Sequence, residues 1–289
     1  MLTGSVRVTS ASHRVLRLAR ELATPRGRRK RNLVLLEGLR AVESAAASPE
    51  AGAAGYSADA ESPRRALLVI PRVLAGERGR AVLDALLRAG VPVFEVSEVL
   101  FRAVSLVETP QGIALICPPP RVEVAEALRT SFLVVADRLQ DPGNLGALFR
   151  SARAFGVEAV ITTKGTAEAA NPKAVRAAAG AWPGLPVAEG ADPAELCRGL
   201  EGRRILVADA AGGRDFRDPV WRGRVALVLG SEGSGADPRF LAAASAAADA
   251  AGSGRVRIPI VPSVESLNVT AAAAVLLAEA ARQRRELAR

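Results

Sequence analysis

Residues 225–235 read Val-Ala-Leu-Val-Leu-Gly-Ser-Glu-Gly-Ser-Gly, an apolar run followed by a loop of glycine and polar side chains. Two other strand-like segments, Phe132–Ala136 and Val256–Ile260, also lead into loops that carry proline, glycine or polar residues. Continuous apolar runs of this kind are typical of parallel strands that are covered on both faces. Parallel sheets hold ligands at the carboxyl ends of their strands. The pattern therefore predicts an α/β fold in which these loops form a ligand site.

The composition of the 289-residue chain argues against several classes of protein. No run of about 18 residues is purely apolar, so we expect no membrane-spanning helix. His13 is the only histidine, which argues against Ser-His-Asp hydrolysis, histidine acid–base chemistry and an ordinary zinc site. Cys117 and Cys197 lie far apart and are expected to be reduced, buried thiols. The N-terminus lacks the apolar core of a signal peptide, so we expect a cytoplasmic protein.

Positive charge is concentrated at the start of the chain. Residues 1–31 contain nine lysine or arginine residues and one acidic residue, Glu21, which accounts for +8 of the formal net charge of +9. A localised basic segment favours a polyanionic partner such as RNA, through phosphate contacts and counterion release. A solubilising tail without a partner explains the charge equally well from the sequence alone. An anionic membrane is less favoured, because the segment has no bulky aromatic face.

The order of strand-like and helical segments predicts two folded regions. Residues 48–65 are rich in alanine, glycine and serine without periodicity, and they predict a mobile surface loop. Pro118-Pro119-Pro120 marks the clearest boundary, because consecutive prolines favour a stiff extended connector. The predicted parts are a basic leader helix or tail (1–31), a small α/β domain (32–117), a linker (118–130) and a second α/β region (131–289).

The first candidate site follows the strand Phe132–Ala136. Asp141-Pro142-Gly143-Asn144-Leu145-Gly146 predicts a tight turn that opens a helix, and Arg150 lies away from the apolar stripe of that helix. Taken alone, Asn144 is interpreted as an N-cap and Arg150 as a solvated helix residue. The turn by itself therefore does not establish a catalytic role.

The glycine loop 230–235 and the segment Ser266-Leu267-Asn268 are the other two candidates. The glycine spacing is G-x-x-G-x-G rather than G-x-G-x-x-G, and Glu232 puts a carboxylate where phosphates bind, which argues against an NAD-type dehydrogenase. A loop that tolerates a carboxylate better suits a cationic or uncharged ligand, and a plain surface turn is the alternative. Ser266 and Asn268 begin a long alanine-rich helix, which either side chain is able to cap.

In this order and spacing the three segments resemble the SpoU/TrmH family of RNA 2′-O-ribose methyltransferases, within the SPOUT superfamily. The first motif matches the family pattern as far as Arg150, and Ala154-Phe155-Gly156 follows as in the family. The third match is the most specific: Ile258-Pro259, then Ser266-Leu267-Asn268-Val269, then an alanine-rich helix. The chain departs from the family after Ile-Pro, where Met and Gly are usual, and in a longer stretch at 241–255.

The resemblance implies a fold, a reaction and a set of site residues. Residues 131–289 are implied to form a parallel-sheet trefoil-knot methyltransferase domain, preceded by a small α/β domain that binds RNA. The implied reaction is 2′-O-methylation of a ribose in structured RNA by a homodimer, with S-adenosyl-L-methionine as methyl donor and no metal. The implied catalytic residues are Arg150, Asn144, Glu232, Ser266 and Asn268, with Glu232 supporting Arg150. The implied cofactor-binding backbone is that of Gly230, Ile258 and Leu267.

Two questions stay open at the level of the sequence. A globular N-terminal domain is more typical of relatives that act on ribosomal RNA, so large-subunit rRNA is the expected substrate. The alternatives are a transfer RNA substrate, or a non-catalytic RNA-binding or ribosome-assembly role on the same scaffold. Arg150 is either a base that accepts the 2′-hydroxyl proton or a charged group that binds a substrate phosphate and stabilises the alkoxide. The first role is chemically unusual, since a guanidinium is normally never deprotonated.

Overall fold

The computed structural model describes residues 5–47, 65–218, 221–247 and 253–286. The chain divides into an N-terminal unit (residues 1–120 with 170–184) and a C-terminal unit (121–169 with 185–289). Nearly all of the loop predicted at 48–65, and residues 248–252 of the stretch 241–255, lie outside the described residues. No described helix is long and apolar enough to cross a bilayer.

The N-terminal unit is built on a five-stranded mixed sheet. Its strands are β1 (Ser5–Val8), β2 (Val34–Glu37), β3 (Ala66–Val69), β4 (Val93–Val96) and β5 (Ile113–Cys117). Its helices before residue 120 are α1 (Arg14–Leu22), α2 (Pro25–Arg31), α3 (Leu39–Ala47), α4 (Glu77–Arg88) and α5 (Glu98–Arg102). The strand order is β1-β4-β3-β5-β2. β1, β4 and β3 are parallel, whereas β5 is antiparallel to both of its neighbours.

Residues 5–31 are part of the N-terminal unit rather than a separate leader. β1 pairs in parallel with β4, with Ser5 opposite Val93 and Val8 opposite Val96. α1 turns an apolar face into the core, which contains Val15, Leu16, Leu18, Ala19 and Leu22. The structure therefore differs from the boundary predicted at residue 31. The many arginines of this segment suggested a separate leader, whereas its apolar residues have the spacing of a helix that packs on a core.

The C-terminal unit is built on a seven-stranded sheet in which every pair of strands is parallel. Its strands are β6 (Phe132–Ala136), β7 (Ala159–Thr163), β8 (Val187–Ala191), β9 (Arg204–Ala208), β10 (Arg214–Asp215), β11 (Val225–Leu229) and β12 (Gly254–Arg257). The helices from residue 121 onward are α6 (Val124–Ala127), α7 (Pro142–Ala154), α8 (Pro172–Ala177), α9 (Pro193–Gly199), α10 (Pro238–Ala246) and α11 (Val269–Arg285). Of these, α8 lies between β7 and β8 in the chain but belongs to the N-terminal unit.

The predicted α/β fold with a parallel sheet is confirmed. β6, β7, β9 and β11 have the predicted bounds, and the apolar residues of all four are buried or nearly so. β12 starts at Gly254 and ends at Arg257, so Ile258 already lies in the following loop. β8 and β10 were not predicted, because β8 contains Glu189 and Gly190 beside an irregular register and β10 has only two residues.

The linker is shorter than predicted. The backbone N–H of Val122 donates to the carbonyl of Val187 at 3.1 Å, and Ala127 is buried in the core of the C-terminal unit. Residues 121–130 therefore belong to the C-terminal unit, and only the three prolines remain at the boundary. This arrangement depends on the contact of α6 with β8, which joins residues about 60 positions apart. Local composition cannot predict a contact between residues so distant in sequence.

Both cysteines are free thiols. Cys117 is buried in β5, and burial raises the pKa of its thiol to about 12. Cys197 is only half-buried in α9, and burial also raises the pKa of its thiol. The expected reduced thiols are thus present, although one of them is less buried than predicted.

Candidate active site

The candidate site lies at the carboxyl ends of the central strands of the C-terminal sheet. β11 lies between β6 and β9, and the chain reverses its direction of winding there, since β7 and β8 extend the sheet from β6 while β12 extends it from β9. Open α/β sheets bind ligands at such switch points. The segments that follow β6, β11 and β12 contain all of the residues that the family resemblance implied: Asn144, Arg150, Gly230, Glu232, Ile258, Ser266, Leu267 and Asn268.

Asn144 does not cap α7. The N-cap is Asp141, whose carboxylate accepts the backbone N–H of Asn144 at 2.9 Å. The side chain of Asn144 is therefore available for contacts outside its own helix, and its Nδ2 donates to Oε1 of Glu232 at 2.8 Å. The structural interpretation of Asn144 as a cap is ruled out by this geometry.

Asn268 joins the same cluster from the other end of the unit. Its Nδ2 lies 2.8 Å from Oε1 of Glu232 and 3.3 Å from Oδ1 of Asn144. Its Oδ1 accepts the backbone N–H of Thr270 at 2.9 Å and so caps α11. One side chain thus fixes the start of the last helix and ties that helix to the loops after β6 and β11.

Glu232 is the shared acceptor of this amide cluster. Two amide groups converge on its Oε1, and among the described residues its carboxylate has no cationic partner. A carboxylate without a counter-ion favours a cation placed beside it. The cluster therefore places a negative charge at the carboxyl ends of the central strands, where the direction of winding reverses.

Arg150 and Ser266 are not drawn into the cluster. Arg150 is exposed on α7, and within the described part of the chain it forms no hydrogen bond or ion pair. The expected support of Arg150 by Glu232 is absent, since that carboxylate binds the two asparagines instead. The reason is helical geometry: six residues separate Asn144 from Arg150, so the two side chains point about 120° apart. Ser266 is exposed before α11.

A cavity of about 370 Å³ opens beside the amide cluster. All three residues implied to hold the cofactor, Gly230, Ile258 and Leu267, line this cavity, together with Glu232 and Ser266. Further apolar wall is supplied by Val207, Leu229, Leu241, Ile260, Val269 and Leu276. The five implied positions therefore share one concave site although their sequence positions span 38 residues.

Gly230 gives this cavity its shape. A Cβ at Gly230 would lie 2.1 Å from the backbone N of Ala236 and from the carbonyl carbon of Gly235, closer than any side chain permits. The two ends of the loop are closed by backbone hydrogen bonds between Ser231 and Gly235 at 2.9 and 3.1 Å. The loop therefore folds back on itself only because residue 230 has no side chain.

The residues of the cavity fit an adenosyl sulfonium compound. Aliphatic walls suit the flat face of a nucleobase, and the backbone that Gly230 exposes offers polar partners for its edges. The uncompensated carboxylate of Glu232 suits a positively charged sulfur and opposes a phosphate. No group of three or more potential metal ligands occurs among the described residues.

Asp137, at the end of β6, is a residue that the sequence analysis did not single out. Its side chain is completely buried. One carboxylate oxygen accepts the hydroxyl of Thr163 at 2.7 Å, and the other accepts the backbone N–H of Asp237 at 2.7 Å. Asp137 therefore ties β7 and the far end of the glycine loop to β6. A charged residue directly after a buried apolar strand was the signal that could have revealed it.

Asp237 anchors the end of the glycine loop on α10. Its carboxylate accepts the backbone N–H of Arg239 and pairs with the guanidinium of Arg239 at 2.8 Å. The hydrogen bond from Arg239 lowers the pKa of Asp237 to about 2. The loop that contains Glu232 is thus held at both ends, by Gly230 at its start and by Asp237 with Asp137 at its finish.

Comparison with known proteins is consistent with this geometry. The profile of the SpoU rRNA methylase family matches residues 131–278, and that of the MRM3-like substrate-binding domain matches residues 14–115. The chain is 30% identical over 271 residues, 93% of this chain and 97% of the relative, to the 23S rRNA (guanosine(2553)-2′-O)-methyltransferase RlmP of Bacillus subtilis.

Two solved structures are similar over nearly the whole chain. An RNA 2′-O ribose methyltransferase is 27% identical with a TM-score of 0.72, covering 96% of this chain and 99% of that one. An AdoMet-bound rRNA methyltransferase from Sinorhizobium meliloti, at 24% identity, shares the fold with a TM-score of 0.75 over 96% of this chain and 98% of that one. The chain therefore belongs to the SpoU rRNA methylase family, RNA 2′-O-ribose methyltransferases whose methyl donor is S-adenosylmethionine.

Proposed function

We propose that this enzyme methylates the 2′-oxygen of a ribose in large-subunit ribosomal RNA. The observation that carries the proposal is the convergence of Asn144, Glu232 and Asn268 beside the cavity that Gly230 shapes. The choice of ribosomal RNA is supported by the relative RlmP, which is named for a 23S rRNA substrate and is similar over nearly its whole length. A decayed, non-catalytic scaffold is less well supported, because Asn144, Glu232 and Asn268 still form one hydrogen-bonded cluster.

S-adenosylmethionine, when bound, supplies a methyl group on a positively charged sulfur. The amide cluster keeps Glu232 in place at the cavity, and the carboxylate favours the cationic donor. Arg150 lies on the exposed side of α7, where its planar guanidinium faces solvent and offers several N–H donors. We assign it the role of a clamp that binds a substrate phosphate and stabilises the alkoxide as the 2′-hydroxyl loses its proton to water.

The proposal is tested with radiolabelled S-adenosylmethionine and total RNA from cells in which the gene for this enzyme is deleted, so that the target site is unmethylated. We expect label in large-subunit rRNA, at one nucleotide that resists alkaline cleavage because its 2′-oxygen is blocked. Label on a base, label only in transfer RNA, or no transfer to any RNA contradicts the proposal in its stated form.

Glu232→Gln is expected to weaken binding of S-adenosylmethionine about fivefold. The glutamine carbonyl still accepts the two asparagine amides, so the cluster persists, whereas one negative charge beside the sulfonium is lost, which is worth about 1 kcal/mol. Isothermal calorimetry measures the change. Binding of S-adenosylhomocysteine, which is uncharged at sulfur, is the control and should not change; equal weakening of both ligands argues against a charge-based role.

We also propose that the enzyme is a homodimer whose chain end passes through a trefoil knot. Residues 261–268 are all exposed, and Val261, Val264 and Leu267 among them are large apolar side chains that a second copy would cover. The knot is supported by the path of the chain after β12, which brings Asn268 against Glu232 before α11 packs on α7. We propose the cytoplasm as the location of the enzyme, where a ribosomal RNA substrate is accessible.

The double variant Val261→Asp/Val264→Asp is expected to be monomeric. Two carboxylates in the interface would be desolvated without partners, which costs several kcal/mol on association. Sedimentation equilibrium measures the mass. Arg222→Gln/Arg224→Gln, which lowers the net charge by the same amount at exposed residues away from this stretch, is the matched control and should leave the dimer intact. A wild-type protein that sediments as a monomer contradicts the dimer directly.

A further inference from the structure

Helices α1 and α2 present a dense set of exposed cations. Glu21 is the only carboxylate in the two helices, and it is engaged by Arg31 at 2.8 Å and by Lys30 at 4.0 Å. The exposed arginines that form no ion pair with any described residue are Arg14, Arg17, Arg20, Arg26 and Arg29. The positive charge of this surface, here called the α1–α2 surface and defined by residues 14–31, is therefore largely uncompensated.

The α1–α2 surface is a rigid corner rather than a tail. Thr24 caps α2: its hydroxyl accepts the N–H of Gly27 at 3.1 Å and donates to the carbonyl of Glu21 at 3.0 Å. A Cβ at Gly27 would lie 1.9 Å from that same carbonyl oxygen, so the two helices meet as closely as their backbones allow. The cations of both helices are thus held on one folded scaffold.

Arg28 differs from the other arginines of residues 14–31, because its role is structural. Arg28 is buried, with only 4% of its surface exposed, and it donates to the carbonyls of Leu22 and Ala23 at 3.1 Å each. It satisfies the last carbonyls of α1, which have no partner within that helix. Arg26 and Arg29, on either side of it, point to solvent.

Helix stability does not explain the exposed cations. At the end of α2, basic residues complement the helix dipole. In α1, however, Arg14 occupies the first helical position and Arg17 the first turn, where the dipole disfavours positive charge. Like charges clustered on one surface also repel each other. The arrangement costs the isolated protein stability, which indicates a polyanionic partner that offsets the cost.

We propose that the α1–α2 surface docks the RNA substrate through its phosphates, an inference that rests on the proposed function. Guanidinium groups bind phosphate oxygens with two parallel hydrogen bonds. Residues 5–32 contain no Phe, Tyr or Trp, so the surface lacks the large aromatic rings on which single-stranded bases stack, and its arginines are placed to contact phosphates. Contacts to phosphate position a nucleic acid without reading its sequence. The surface therefore anchors structured RNA, and selection of the target nucleotide occurs elsewhere.

The test is the triple variant Arg17→Gln/Arg26→Gln/Arg29→Gln in the full-length protein. Fluorescence anisotropy measures its binding to two fluorescein-labelled RNA hairpins of equal length and unrelated sequence over a range of KCl concentrations. We expect affinity to fall at least tenfold for both hairpins, and the slope of log K against log salt to decrease in magnitude by about three, one unit for each lost phosphate contact.

Two further measurements make the outcome decisive. The variant Arg88→Gln/Arg102→Gln/Arg198→Gln removes the same charge from exposed sites outside the α1–α2 surface and should change the salt slope little. Affinity of the triple variant for S-adenosylmethionine should equal that of the wild type, which shows that the catalytic unit is folded. Equal losses in both triple variants, or loss for one hairpin only, overturn the inference. If the wild type binds neither hairpin, or if the α1–α2 variant binds both as tightly as the wild type does, the inference fails. The proposed function fails separately, when no labelled methyl group is transferred to large-subunit rRNA.

Discussion

Replacing Arg150 by alanine is expected to lower the rate of methyl transfer by about a hundred- to a thousandfold while leaving the dissociation constant for S-adenosylmethionine unchanged. Arg150 is exposed on α7 and does not line the cofactor cavity, so its loss leaves the walls of that cavity intact. A donor that stabilises a developing oxyanion typically contributes this much to the rate. Single-turnover transfer of labelled methyl to RNA measures the first quantity, and calorimetry measures the second.

Arg153→Ala supplies the matched control for Arg150. Arg153 lies one turn further along the same helix, is exposed, and forms no ion pair with any described residue. The two variants change the net charge equally, so they differ only in the position of the lost arginine. If the effect depends on the position of Arg150, Arg153→Ala should keep at least half of the wild-type rate. A comparable loss of rate in both variants indicates that α7 needs positive charge in general. Loss of donor binding in Arg150→Ala assigns that arginine a structural role instead.

Gly230→Ala is expected to weaken binding of S-adenosylmethionine by about a hundredfold. The added Cβ would lie 2.1 Å from backbone atoms of Gly235 and Ala236, which no rotamer change relieves, so the loop must open. Overpacking of this kind costs about 3 kcal/mol, which corresponds to that loss of affinity. Opening also displaces Glu232 from the two asparagines, so transfer to RNA is lost together with binding.

Gly233→Ala tests whether the effect is specific to the close approach. Gly233 lies in the same loop, and a Cβ there meets no atom within 4 Å. Calorimetry on the two variants, with thermal unfolding as a check on folding, should therefore show near-normal binding for Gly233→Ala alone. If both alanines bind the donor normally, Gly230 does not shape the site. If both lose binding, the loop needs glycine for its mobility rather than for its packing.

The sequence by itself determined the strands that carry the site. Buried parallel strands need apolar residues on both faces, so Phe132–Ala136 and Val225–Leu229 stand out as continuous runs. Polar residues directly after such strands must lie at one edge of the sheet, which located Asn144 and Glu232 in advance. Asn268 was a candidate as well, but only the family resemblance gave it a role in the site, because no local pattern indicates its place in the cluster.

Only the tertiary structure decided which groups meet. The pairing of Glu232 with two asparagines instead of Arg150 depends on the rotation of α7 about its axis. The role of Asp137 depends on the backbone of Asp237, one hundred residues later. Hydrogen bonds between distant residues are set by how elements pack, and no local propensity encodes them.

The N-terminal segment shows the same division in one place. Nine cations in residues 1–31 favour a polyanionic partner, but from composition alone a solubilising tail explains them equally well. Composition does not distinguish Arg28, which is buried against α1, from Arg26 and Arg29, which face solvent. That distinction follows from the corner at Gly27, because the side of a helix that is buried is decided by what packs against it.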